Sequence, residues 1–210
     1  MTEIMMRLKA ETRTEHQATE GTALAVAMFR GTLSRAEYEA QLAGYLAMHL
    51  ALEEAVARSP RLSAVVTGAS KSARLRSDLR ALGAALTREA SPSTARAVDG
   101  FSTRVSSSGA PELLGTIYVF EGSALGAAIL FPRLQASLGL ADDALSYYRG
   151  DGAATMDRWR RFGERMNLAL PDPGEQERAL AAARATFVDI RALFESIRRS
   201  EGTNLRATAA

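Results

Sequence analysis

Two histidines, His16 and His49, are the only imidazoles in this chain of 210 residues, and it has no cysteine. Thiolate nucleophiles, disulfides, zinc knuckles and iron–sulfur clusters are therefore excluded, and so is a three-histidine catalytic zinc site. Any metal or prosthetic-group chemistry must run through an imidazole helped by carboxylates. Each histidine is followed four residues later by a glutamate, Glu20 after His16 and Glu53 after His49. On a helix that spacing stacks the two side chains one turn apart, so the carboxylate can orient the ring through Nδ1 and leave Nε2 for a metal. Spacing does not choose between the pairs, and each equally fits a histidine satisfied inside a core.

The second anomaly is the apolar run Leu113–Phe131, which contains Gly122, Ser123 and Gly126. Glycine inside a helix costs about 1 kcal/mol relative to alanine, so the two glycines together give up roughly 2 kcal/mol. Two compensations are open: close packing against another helix, or a flat ligand lying against the backbone over a helix that bends. Four-residue spacing puts both glycines on one face and suits either. The run approaches membrane-spanning length, but Thr116, Glu121 and Ser123 interrupt it and Pro132 and Arg133 close it, so it reads as a core helix of a soluble chain.

Other chemistries lose their warrant. There is no G-x-x-x-x-G-K-[ST], G-x-G-x-x-G or G-x-S-x-G motif. With 26 Lys and Arg against 24 Asp and Glu, the net charge of +2 is too small for a nucleic-acid clamp. The N-terminus lacks the apolar block of a secretory signal, which predicts a cytoplasmic protein.

The elements that must position these residues are helices, and strand alternation is nearly absent. The expected fold class is all-α, a single-domain helical bundle over residues 1–202 with a frayed tail at 203–210. Ser34-Arg35-Ala36-Glu37 is a capping box ahead of the stripe Tyr38, Leu42, Tyr45, Leu46, Leu52 and Val56. Leu75, Leu79, Leu82 and Leu86 predict another helix, and Ser91-Pro92 the start of the next. A helix from about Pro111 to Leu138 follows, then a loop around Tyr148–Gly152 and a short helix with Trp159 and Phe162. Asp172-Pro173-Gly174-Glu175 opens the last helix, whose inner stripe is Leu180, Phe187, Ile190, Leu193, Phe194 and Ile197.

The segment Leu8-Lys9-Ala10-Glu11-Thr12-Arg13-Thr14-Glu15-His16-Gln17-Ala18-Thr19-Glu20 resembles the first helix of the haem oxygenases. Leu114-Gly115-Thr116-Ile117-Tyr118-Val119-Phe120-Glu121-Gly122-Ser123-Ala124-Leu125-Gly126 resembles the distal helix of their bacterial branch. Tyr45 to Glu54, Arg74 to Gly83, and Arg158-Trp159-Arg160-Arg161-Phe162 through Asn167 are similar as well, so the likeness spans residues 4–198.

The resemblance implies a haem oxygenase-like fold and haem (iron protoporphyrin IX) as both cofactor and substrate. O2 and supplied electrons would open the ring to biliverdin, CO and ferrous iron. It makes His16 the axial metal ligand with Glu20 as its companion, and sets Gly122, Ser123 and Gly126 on the catalytic distal side. Lys9 matches a basic position for the propionates, Arg133, Arg158 and Arg161 are further cations, and Tyr118 falls at a pocket aromatic. A ferredoxin- or flavin-type electron donor is implied, and iron recovery or chromophore supply to a bilin-binding photoreceptor both fit. No nucleic acid and no membrane enter. The chain departs from the family at Ala127, where many members have a second glycine, and at Ser123, where the animal branch has an aspartate. A non-catalytic haem carrier or sensor on the same fold is the alternative those departures suggest.

Overall fold

The computed structural model describes residues 2–62, 65–66, 70–83 and 91–207, with side chains described to Arg198. Among the described residues there is no strand, and the α-helices run in the order α1 (Glu3–Glu11), α2 (Arg13–Glu20), α3 (Ala23–Arg30), α4 (Arg35–Ala57), α5 (Lys71–Ala81), α6 (Pro92–Ser106), α7 (Ala110–Leu138), α8 (Ser146–Arg149), α9 (Thr155–Ala169) and α10 (Pro173–Ala207). The all-α expectation holds.

Local chemistry sets most boundaries. The Ser34 and Glu37 side chains satisfy each other's backbone amides at the start of α4. Ser91 accepts from the amide of Thr94 with Pro92 in the first turn of α6, and Asp172 accepts from the amide of Glu175 at 2.8 Å to open α10. Leu82 falls just after α5, and Leu86 lies outside the described residues. The loop expected around residues 148–152 is instead α8 followed by a 3-10 turn, Gly152–Ala154. The last helix is described to Ala207, into the segment expected to fray.

The long helices α7 and α10 form the spine, with α4 and α6 packed beside it. Their approach is very close at Gly115, where a Cβ would stand 1.9 Å from the carbonyl oxygen of Ala179. Small residues on both sides, with Ala179 and Ala183 fully buried, let the backbones meet. α7 is the described helix long and apolar enough to cross a membrane, and half of its most apolar stretch is buried inside the protein. Its faces are unequal along its length: Leu113 to Phe120 are buried all round, whereas Ser123, Gly126, Ala128 and Ile129 are exposed.

Candidate functional site

The break between α1 and α2 falls at Thr12, whose hydroxyl donates to the Leu8 carbonyl at 2.7 Å. α2 then docks on α10 at Phe187 and at Arg184, whose guanidinium lies 3.8 Å from Glu15. The Thr19 hydroxyl reaches the Phe187 carbonyl at 3.2 Å, and the His16 ring meets the Phe187 ring edge-on with centroids 5.3 Å apart. His16 is half-exposed, with Nδ1 3.5 Å from Glu20 Oε2. That is an approach within reach of a full hydrogen bond, and it aims the carboxylate at Nδ1 while Nε2 stays open.

Thr12, at the head of α2, lies beside the Tyr118 side chain of α7. Burial pushes the Tyr118 phenol up to about 12, so it stays protonated at neutral pH. Thr12 lies one turn before His16 and Tyr118 one turn before Gly122. The half of α7 beyond Tyr118 is more open than the half before it. A Cβ on Gly126 would meet no atom within 4 Å, and one on Gly122 would only touch the Trp159 ring at 3.4 Å. Trp159 packs against Tyr118 and Phe162, both at 5.7 Å between centroids, and walls this end of the opening. At the other end α3 closes on α7, where Arg133 donates to the Phe29 carbonyl at 3.0 Å and lies over its ring. The compensation for the glycines is therefore not helix packing at Gly126. The packing glycine is Gly115, which the sequence reading passed over.

Beneath α7 lies a narrow cleft of about 30 Å³, lined by Lys71, Glu121, Ser123, Tyr147, Asp151 and Arg158 among others. Its floor is a chain of ion pairs. Glu121 binds Lys71 at 3.1 Å and Arg158 at 3.0 Å, and Asp151 joins Arg158 at 2.7 Å to Arg74 at 2.5 Å. Burial raises the Asp151 carboxyl, but hydrogen bonds from Arg74 and Arg158 outweigh it and hold the group below its ordinary value. Ser123 and Tyr147 both line this cleft, and the Tyr147 hydroxyl lies 3.1 Å from His49 Nε2.

His49 is buried at 2% exposure, among Tyr45, Phe120 and Tyr147. Glu53 does not orient it, contrary to the second His-x-x-x-Glu reading. That carboxylate caps the start of α5 instead, accepting from the Ser70 and Ser72 hydroxyls at 2.7 Å and the Ser72 amide at 3.0 Å. Burial, helped by the nearby Lys71 ammonium, holds the His49 pKa well below 6.5. The unfolded chain then binds this proton more readily than the folded one, so stability is present above about pH 6.5 and falls as pH drops below it. Urea denaturation between pH 7.5 and 5.5 is expected to lose up to about 1.4 kcal/mol per pH unit from this group, and His49→Gln to flatten that slope. An unchanged slope in the variant would assign the pH dependence elsewhere.

The cation candidates separate. Lys9, in the last turn of α1, and Arg161, on α9, are exposed and engage no carboxylate among the described residues. Arg158 is committed to Glu121 and Asp151, and Arg133 to Phe29. The structure places His16 and Glu20 on α2 and Tyr118, Gly122 and Gly126 on α7, with Ser123 on the lining of the cleft. Thr12 and Phe187 were missed; Thr12 was legible, since it stands one turn before His16 as Tyr118 stands before Gly122. Lys71, Tyr147 and Asp151 come from separate elements and carry no local motif.

Comparison with known proteins places this geometry. A family model described as "Heme oxygenase" matches residues 2–196. No curated protein sequence matches the chain. Among solved structures, the haem complex of heme oxygenase-1 from the cyanobacterium Synechocystis superposes with a TM-score of 0.76 at 17% identity, covering 100% of both chains. Heme oxygenase-2 of Synechocystis, with haem and NO, gives 0.80 at 20% identity over 93% of this chain and 85% of that one. The NO- and CO-bound heme oxygenase of Neisseria meningitidis gives 0.74 at 21% identity over 94% and 93%. At such identities the structures speak for the fold, while the family match spans nearly the whole sequence. With its sequence matched from residue 2 to residue 196, this chain belongs to the haem oxygenase family.

Proposed function

We propose that this protein binds haem between α2 and the exposed half of α7 and degrades it to biliverdin, CO and ferrous iron. The observation that carries the reading is Gly126. It sits in an otherwise apolar helix, it costs helix stability, and nothing within 4 Å uses the space where its side chain would be. A flat, apolar tetrapyrrole supplies the missing compensation.

The residues fit such a group. His16 Nε2 would take the iron, with Glu20 beside Nδ1 to fix the ring's orientation. Phe187 holds that ring from behind, so the ligand is presented by α10 as much as by α2. Gly122 and Gly126 leave room on the opposite side, and Trp159 limits how far a ring can slide toward α9. Of the four candidate cations, Lys9 and Arg161 engage no carboxylate among the described residues and would serve the propionates. Bound haem supplies the O2-activating iron and the macrocycle that is opened, with electrons from a ferredoxin- or flavin-type donor. The protein's part is to orient, to exclude bulk water and to hold protons at Ser123 and Tyr147.

A non-catalytic carrier is the second reading, favoured by one observation: the Ser123 hydroxyl donates to the Phe120 carbonyl at 2.8 Å rather than toward the opening. Haem titration followed by aerobic reduction separates the two. Loss of the haem absorption with appearance of biliverdin is expected, and a stable haem band under reductant would leave the carrier. In the same assay His16→Ala should lose the five-coordinate imidazole spectrum and His49→Ala should keep it; the reverse pattern would overturn the ligand assignment.

A further inference from the structure

The Phe120 carbonyl sits one residue before Glu121 and two before Gly122, and in α7 it is the acceptor for the amide four residues on. Two side chains also bond it. Lys71 Nζ donates at 2.7 Å and Ser123 Oγ at 2.8 Å. A carbonyl has two lone pairs, so these donors are redundant with one another. Lys71 has little freedom to leave. Its ammonium is held by Glu121 at 3.1 Å, only 17% of its side chain is exposed, and Glu121 is itself fixed by Arg158. Ser123 has an alternative acceptor in the cleft it shares with Tyr147, the phenol oxygen of that residue, which in turn meets His49 Nε2 at 3.1 Å.

We infer that Lys71 is a positioning residue that satisfies the Phe120 carbonyl on its own and so frees the Ser123 hydroxyl to turn away from the backbone. This rests on the haem-degrading reading, and gives that reading an answer to its strongest rival. With the serine proton on Phe120, donation runs from His49 Nε2–H to Tyr147 to Ser123 to the carbonyl. With the serine proton given to Tyr147 instead, donation runs the other way and ends on an unprotonated His49 Nε2. The buried, neutral His49 can do either by changing tautomer. Lys71 makes the two directions nearly equal in energy, because the carbonyl keeps a charged donor in both. Without it the first direction prevails and Ser123 stays pinned.

The chain's two histidines make the test direct. Nitrogen-15 NMR of the imidazoles in the ligand-free protein should find both His49 tautomers populated in the wild type. Lys71→Met should shift His49 at least tenfold toward the Nε2–H form, and Lys71→Arg, which keeps a charged donor, should restore the mixture. Ser123→Ala should move His49 to the Nδ1–H form, since Tyr147 then has only the histidine to donate to. If Lys71→Met does not fold, Lys71→Arg and Ser123→Ala still decide. A single His49 tautomer in the wild type, or one that ignores Lys71→Met or Ser123→Ala in folded protein, would overturn the inference. Haem affinity, followed by quenching of Trp159, should change less than twofold in Lys71→Met. Failure of the wild type to bind haem at all would strike the functional reading and leave the tautomer result intact.

Discussion

Gly126→Leu should raise the thermal stability of the ligand-free protein and abolish its haem binding. The two effects share one cause. Leucine has nearly the helix propensity of alanine, so replacing an interior glycine gains about 0.8–1 kcal/mol. Nothing within 4 Å of the new Cβ opposes it. For a domain of this size that is a rise of about 2–4 °C in midpoint. The side chain then fills the space proposed for the macrocycle, and haem affinity should fall at least about 100-fold, the order expected when roughly 3 kcal/mol of contact is replaced by a clash. Gly126→Ala should give most of the stability gain with a smaller loss of affinity. Calorimetry and a haem titration on the same samples suffice. A leucine variant that binds haem as the wild type does would show that the opening beside Gly126 is not the haem site.

How much of this was legible before the structure follows from what each residue depends on. Helix boundaries set by neighbours in sequence, such as Ser34 with Glu37 and Asp172 with Glu175, came through because the bonding groups lie within one turn. So did the candidate pair His16 and Glu20, whose contact is also local. What failed were judgements needing a third element. His49 and Glu53 have the same spacing as His16 and Glu20, yet Ser70 and Ser72 at the start of α5 take that carboxylate and Tyr147 takes the ring. Arg158 reads as one of several free arginines until Glu121 and Asp151 are brought to it from α7 and from the turn after α8. Glycines were the hardest, because periodicity records only that a side chain is missing. Whether a backbone, a ring or nothing fills its place is decided across the fold.

Gly115→Ala should do the opposite of Gly126→Leu: destabilise the protein while leaving the site intact. Its Cβ would stand 1.9 Å from the Ala179 oxygen, 2.7 Å from the carbonyl carbon and 2.9 Å from Cα. These atoms are backbone of α10, so no rotamer change relieves the clash and no smaller residue at position 179 removes it. The two longest helices must move apart at their closest point. Overpacking a core typically costs 1–3 kcal/mol and more where the neighbours cannot yield, against a propensity gain of about 1 kcal/mol. A net loss of about 2 kcal/mol is expected, a fall of roughly 4–8 °C in midpoint. Gly115 lies two turns of α7 before Gly122. The folded fraction should therefore bind haem with affinity close to that of the wild type. An alanine tolerated here without loss would mean that α7 and α10 are not locked by backbone contact.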